Sequence, residues 1–121
     1  MLTEYKDRAA WLSARRDGYG IGASDTPKIL GVSSYGGPWT VWRAHHDPTA
    51  HRRTTPEHMN LGHDLEPVTL RAYARRHNLQ IAHVDNGIYT HPQLPWLRMS
   101  PDGIAGPRDA PTQHYEAKAV L

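Results

Sequence analysis

The sequence predicts an α+β fold, with helices first and a small, mainly antiparallel sheet after them. Three observations predict it. A helix-period stretch runs from Thr55 to about His77, the period changes to strand alternation after Asn78, and a turn-rich run, Gly106-Pro107-Arg108-Asp109-Ala110-Pro111, separates Met99–Gly103 from Glu116–Lys118. At 121 residues the chain suits one domain, 1–121, with a modest core. There is no Phe, so four Trp and six Tyr must supply the aromatic volume. Each of those rings brings a polar tip that needs a partner, which predicts several of them at the rim of the core or in a cleft.

Taken in order, Thr3 to Arg16 reads as a first helix, with Tyr5, Ala9 and Leu12 near helical spacing and Thr3 as its cap. Arg15-Arg16 suit its C-terminal end, and Gly18 and Gly20 stop it. A short helix follows through Gly31, with Ser24 as cap and Pro27 in its first turn. The small residues before Ser24 let backbone approach a neighbour closely, and a capped helix start can hold an anion, though the spacing is not that of a nucleotide-binding P-loop. Pro38 to about His46 predicts another helix, whose Trp39 and Trp42 share a face and are expected in the core, with stacking on a base as the alternative. Asp47 to Thr55, with Arg52-Arg53, reads as a connection. The long helix then presents Met59, Gly62, Leu65, Thr69, Ala72 and Tyr73 along one stripe, with Glu66 at its margin and Pro67 expected to kink or split it. Leu79–Val84 and Ile88–His91 read as a hairpin about Asp85-Asn86-Gly87.

The totals restrict the function classes. A net charge of +2 permits nucleic-acid binding without demanding it. The lack of cysteine excludes disulfides and thiolate metal sites and agrees with a reducing cytoplasm. The nine histidines show none of the usual zinc spacings, and most are expected on the surface and not as metal ligands. The charged N-terminus does not look like a signal peptide, and no run is long enough to span a bilayer, which predicts a soluble, cytoplasmic protein.

The candidate chemistry lies at the C-terminal end. Asp102 and Glu116 are symmetric about Asp109, so a hairpin folded there would set them on neighbouring strands, roughly 5 Å apart at the Cβ atoms if directly opposed. Glu116 and Lys118 would face the same way. Two carboxylates that close repel unless a cation or a shared proton intervenes, and oxygen ligands suit Mg²⁺ or Mn²⁺. The same pattern also arises in solvated surface hairpins. Glu66, a carboxylate beside an apolar stripe, needs a cation as well, either an arginine or a shared metal.

These pieces resemble a known family. Trp11-Leu12 with Arg15, then Gly22-Ala23-Ser24-Asp25 with Ile29-Leu30-Gly31, resemble the start of the YqaJ-like viral recombinase nucleases, relatives of the lambda-type exonuclease. Gly62-His63-Asp64-Leu65-Glu66-Pro67 with Tyr73 is similar to that family's helical glutamate segment. His91-Pro92, Trp96, Ser100-Pro101-Asp102-Gly103 and Glu116-Ala117-Lys118 are similar to its PD-(D/E)xK core, and the likeness covers nearly the whole chain in order. The resemblance implies a restriction-endonuclease-like core in which Asp102, Glu116, Glu66 and the Ala117 carbonyl bind Mg²⁺, or Mn²⁺. It implies that Lys118 orients or helps deprotonate the attacking water. Arg15, Ser24 and Asp25 match positions that handle the terminal phosphate, with Arg16 as the alternative to Arg15. It further implies a 5′→3′ exonuclease on double-stranded DNA ends in phage-type recombination, a single-strand annealing protein as partner, a homo-oligomeric ring and no membrane. Family members ordinarily continue with another helix and strand beyond the Glu-Ala-Lys motif. A partial domain is therefore expected, and a non-catalytic DNA-binding or partner-binding module of nuclease shape is the alternative reading.

Overall fold

A computed structural model describes residues 1–17, 20–47, 49–50 and 56–118. Along the chain stand β1 (Leu2–Glu4), α1 (Arg8–Asp17), α2 (Thr26–Ile29), α3 (Pro38–His46), α4 (Glu57–His77), β2 (Ala82–His83), β3 (Gly87–Thr90), β4 (Arg98–Met99), β5 (Gly103–Ala105) and β6 (Gln113–Tyr115). The class is α+β, as expected. The strands form two antiparallel three-stranded sheets, one ordered β1-β3-β4 and the other β2-β5-β6.

The N-terminal helix begins later than its spacing suggests. Leu2–Glu4 pairs with β3 instead, Leu2 opposite Tyr89 and Glu4 opposite Gly87. Tertiary contacts override local propensity here: Leu2 packs on the cluster of Val84, Tyr89 and Ile104, and Glu4 forms an ion pair with Arg108. Asp7 caps the helix in place of Thr3, its Oδ1 accepting from the Ala10 N–H at 2.8 Å. Gly18 lies outside the described residues.

Ser24 is not the cap of the short helix. Asp25 holds that position with helical dihedrals, and its carboxylate turns back to accept from the Gly22 N–H at 3.0 Å. The helix is a single turn, ended by Gly31 at φ +72°. The segment before it docks on the first sheet, Ile21 donating to the Trp96 carbonyl and accepting from the Arg98 N–H. Gly20 leaves the space that the Arg98 side chain occupies.

α3 starts at Pro38, with the Gly37 N–H donating to Thr40 Oγ1 at 3.1 Å. Its buried residue is Val41, not the tryptophans: Trp39 is 67 % and Trp42 50 % exposed. The two indoles cover each other instead of entering the core. The polar connection expected before α4 lies largely outside the described residues, as does Thr55.

α4 runs unbroken through Pro67, so the expected split does not occur. Asn78 closes it in the left-handed region at φ +52°, with Arg75, Arg76 and His77 in the last turn against the dipole. The helix touches the sheet along a narrower line than its apolar stripe suggested. Leu70 is buried, whereas Met59 and Tyr73 are exposed. Leu70 fits against a strand glycine, Gly103.

The expected pairing of residues 79–84 with 88–91 is absent. Asn86, at φ +54°, bends the chain out of one sheet and into the other, so β2 pairs with β5 while β3 pairs with β1 and β4. Ser100–Asp102 makes the return crossing between β4 and β5. The two crossings are tied together where the Val84 N–H donates to the Asp102 carbonyl at 2.9 Å. Ile104, 1 % exposed, is the most deeply buried side chain of the core.

Candidate functional site

The hairpin about Asp109 forms in the register that its symmetry requires. Gly103 lies opposite Tyr115, Ile104 opposite His114 and Ala105 opposite Gln113. Asp102 and Glu116 therefore stand one step beyond the paired ends. The Asp102 N–H donates to the Tyr115 carbonyl at 3.0 Å, and its Oδ2 accepts from the Ala117 N–H at 2.6 Å. Backbone contacts to both neighbouring segments thus fix the aspartate. Beyond it, the Lys118 ammonium donates to Glu116 Oε1 at 2.7 Å.

Glu66 joins this group from α4. Its Oε2 lies 3.3 Å from His63 Nδ1 and 4.0 Å from His83 Nε2. Desolvation, and then the charge of Asp102, hold its pKa above the usual carboxylate range, with His63 and His83 opposing. Asp102 is also raised, first by desolvation; the Ala117 N–H and Lys118 pull it down while Glu116 pushes it up. The Lys118 ammonium is strengthened chiefly by its hydrogen bond to Glu116, with Asp102 and Glu66 adding to it. Glu66, Asp102, Glu116 and Lys118 therefore share one electrostatic neighbourhood.

Arg15 reaches the same neighbourhood from α1. Its guanidinium lies 4.6 Å from the centre of the Trp11 ring, which Arg8 also approaches at 5.5 Å. Desolvation lowers the Arg15 pKa, Asp25 and Glu116 raise it, and Arg8 lowers it further. The backbone carbonyl of Arg16 lies 3.1 Å from His45 Nδ1 on α3. Ser24 is exposed in the turn beside Asp25. The structure thus groups Arg15 with Asp25 and Glu116.

The donor set suits a hard divalent cation in kind. Glu66, Asp102, Glu116 and the Ala117 carbonyl offer only oxygen. After desolvation, the charge of Asp102 raises the Glu66 pKa and that of Glu116 raises the Asp102 pKa, and Lys118 is engaged by Glu116. As the side chains are oriented, however, no group of three or more His, Asp or Glu among the described residues is close enough to enclose an ion. The face is open. Two shallow hollows of about 550 and 750 Å³ flank α4, one beside Tyr73 and Tyr115 and the other beside Arg71 and Arg75, and neither is lined by these carboxylates.

Two residues of the site are not among those expected from the sequence, which suggests surface positions for most of the histidines. His63 and His83 are half-buried against Glu66, and His83 Nε2 is a buried nitrogen without a hydrogen bond. His63 had a legible signal, since it precedes Glu66 by three residues on one helix face. His83 had none, because a crossing between sheets brings it to α4.

Among the described residues, no helix is long and apolar enough to cross a membrane. No curated protein and no solved structure matches the chain. Residues 10–121 match the YqaJ-like viral recombinase domain, and with nearly its whole length covered the chain belongs to that family of phage-type recombination nucleases.

Proposed function

We propose that the chain is a metal-dependent deoxyribonuclease with a PD-(D/E)xK core, acting 5′→3′ on the ends of linear double-stranded DNA. The observation that carries the reading is the hydrogen bond from the Ala117 N–H to Asp102, which locks the two halves of the motif together beside Lys118, with Glu66 in the same field. Asp102, Glu116, Glu66 and the Ala117 carbonyl would hold Mg²⁺, or Mn²⁺ in its place. Such an ion lowers the pKa of water and stabilises charge on the scissile phosphate.

The chain's own groups do the rest. Lys118, strongly basic and cationic, orients the attacking water and adds positive charge near the phosphate. Glu66, its carboxyl raised first by desolvation and then by the charge of Asp102, adds a third acidic group to the site from α4. Arg15, braced on Trp11, holds the terminal phosphate with Ser24 and Asp25 lining the approach, and so commits binding energy to position. In this reading the protein works in the cytoplasm, with a single-strand annealing protein and in a homo-oligomeric ring.

The test is degradation of a linear 5′-phosphorylated duplex. Wild type should degrade it only with Mg²⁺ or Mn²⁺, and Asp102→Ala should abolish the activity; equal rates for the two would refute the proposal. One observation favours a second reading, a non-catalytic DNA-binding module: Glu116 is engaged by Lys118, and no three ligand side chains are close enough to enclose an ion. Salt-dependent DNA binding with no cleavage under any divalent metal would select it. Calorimetry with Mn²⁺ on wild type and Glu116→Gln separates the two directly.

A further inference from the structure

The Glu66 carboxylate is approached through one of its oxygens only. His63, three residues before it on α4, places Nδ1 3.3 Å from Glu66 Oε2, and His83 brings Nε2 to 4.0 Å from the same oxygen. Among the described residues, no side chain holds Oε1 by a hydrogen bond or ion pair. His63 has a further partner at the start of α1, where Arg8 Nη1 lies 3.5 Å from His63 Nε2. We propose that Arg8 and His63 are positioning residues for Glu66, holding it by Oε2 and leaving Oε1 for the divalent ion. The proposal rests on the reading of the chain as a metal-dependent nuclease and adds to it two residues outside the ligand set.

The two partners of His63 require the same tautomer. A guanidinium only donates, so His63 Nε2 accepts from Arg8; an ionised carboxylate only accepts, so Nδ1 carries the hydrogen that faces Glu66. One ring hydrogen satisfies both contacts, and the other tautomer breaks both. Arg8 is itself steadied by the Trp11 ring, whose centre lies 5.5 Å from its guanidinium carbon. His83 closes the same side from β2. It lies opposite Gly103, so the oxygen that the histidines share is beside the strand that Asp102 leads into. Its Nε2 is buried with no hydrogen bond, and the Glu66 carboxylate is the acidic group it faces. A carboxylate fixed through one oxygen loses little further freedom when the other binds an ion, which is how the partners of a ligand add to its affinity.

Two measurements on the full chain test this. The first needs no metal: imidazole nitrogen–proton correlation spectra in EDTA at about pH 8, where a free histidine is neutral. His63 should carry its hydrogen on Nδ1, the form less favoured for a histidine in water; a hydrogen on Nε2 would overturn the proposal. The second is Mn²⁺ calorimetry. His63→Ala should weaken binding about 10- to 100-fold, the usual loss when a ligand's partner is removed. Arg8→Met should weaken it about 2- to 10-fold, the range of one hydrogen bond. His63→Asn should recover most of the loss, because its amide nitrogen stands near the place of Nδ1; a mere packing role would not be rescued this way. In a Glu66→Gln background, His63→Ala should add little. Unchanged affinity in His63→Ala, no recovery in His63→Asn, or an undiminished loss in the Glu66→Gln background would each overturn the proposal and leave the nuclease reading standing. Wild type that binds no Mn²⁺ would overturn both. Should His63→Ala fail to fold, the wild-type spectrum still decides.

Discussion

Replacing Gly103 by alanine should loosen the helix that carries Glu66. A Cβ at this position would stand 2.9 Å from Ile81 Cγ2 and 3.1 and 3.3 Å from the two Leu70 methyls. Those separations are well inside the optimum for carbon contacts, and overpacking of this kind costs about 1–3 kcal/mol. Removing a strand glycine recovers about 0.5–1 kcal/mol of backbone entropy. The net expectation is a loss of about 1 kcal/mol, seen as a melting point about 4 °C lower. Gly103→Val should lose more. Leu70 is one turn beyond Glu66 on α4, so the same displacement separates Glu66 from Asp102 and should weaken Mn²⁺ binding in calorimetry. Denaturant unfolding of Gly103→Val, Leu70→Ala and the double variant supplies the decisive comparison. The double variant should be more stable than the sum of the single losses predicts, because the deleted leucine methyls make room for the valine. A neutral or stabilising Gly103→Ala, or strict additivity in the double variant, would refute the account of helix placement.

The raised carboxylates predict a pH dependence. Groups whose pKa is higher in the folded state favour folding below their unfolded pKa, and that contribution is lost as pH rises through the folded value. Without metal, the Glu66 and Asp102 contributions should therefore fall as pH rises above about 4, and Glu66→Gln should flatten that part of the urea-unfolding pH profile. Mn²⁺ affinity should rise over the same interval, since the ion competes with protons. Trp11→Ala should cost about 2 kcal/mol in denaturant unfolding, because the indole N–H donates to the Gly87 carbonyl at 3.3 Å and the ring supports Arg8 and Arg15. Asn78→Ala should cost about 1 kcal/mol, since alanine tolerates φ +52° poorly, and Asn78→Gly should be close to neutral by thermal melting.

The parts of the fold legible in the sequence were those governed by near neighbours. The hairpin register followed from the symmetry of Asp102 and Glu116 about a turn-rich run, and α3 and α4 from their prolines and helical spacing. The misses were contacts between distant segments. Thr3 suits a helix cap, but Leu2 gains more by covering Val84 and Tyr89 than it would beside a helix. Asp85-Asn86-Gly87 is a turn by composition, yet it sends the chain into another sheet, a choice made by partners elsewhere in the sequence. Trp39 and Trp42 share a helix face, but periodicity does not say whether anything packs on that face. Within the site, the hairpin residues were readable from local order, whereas the His83–Glu66 approach depends on how α4 lies across β2.

Asp102 sits on a fault line, with only Ser100 and Pro101 between the last paired residue of one sheet and itself, and the other sheet starting at the next residue. Slippage of either sheet would be felt there first. Damage at Leu2–Glu4, far along the sequence from any acidic ligand, should therefore register in the chemistry, with the Val84 amide exchanging its hydrogen faster as an early witness.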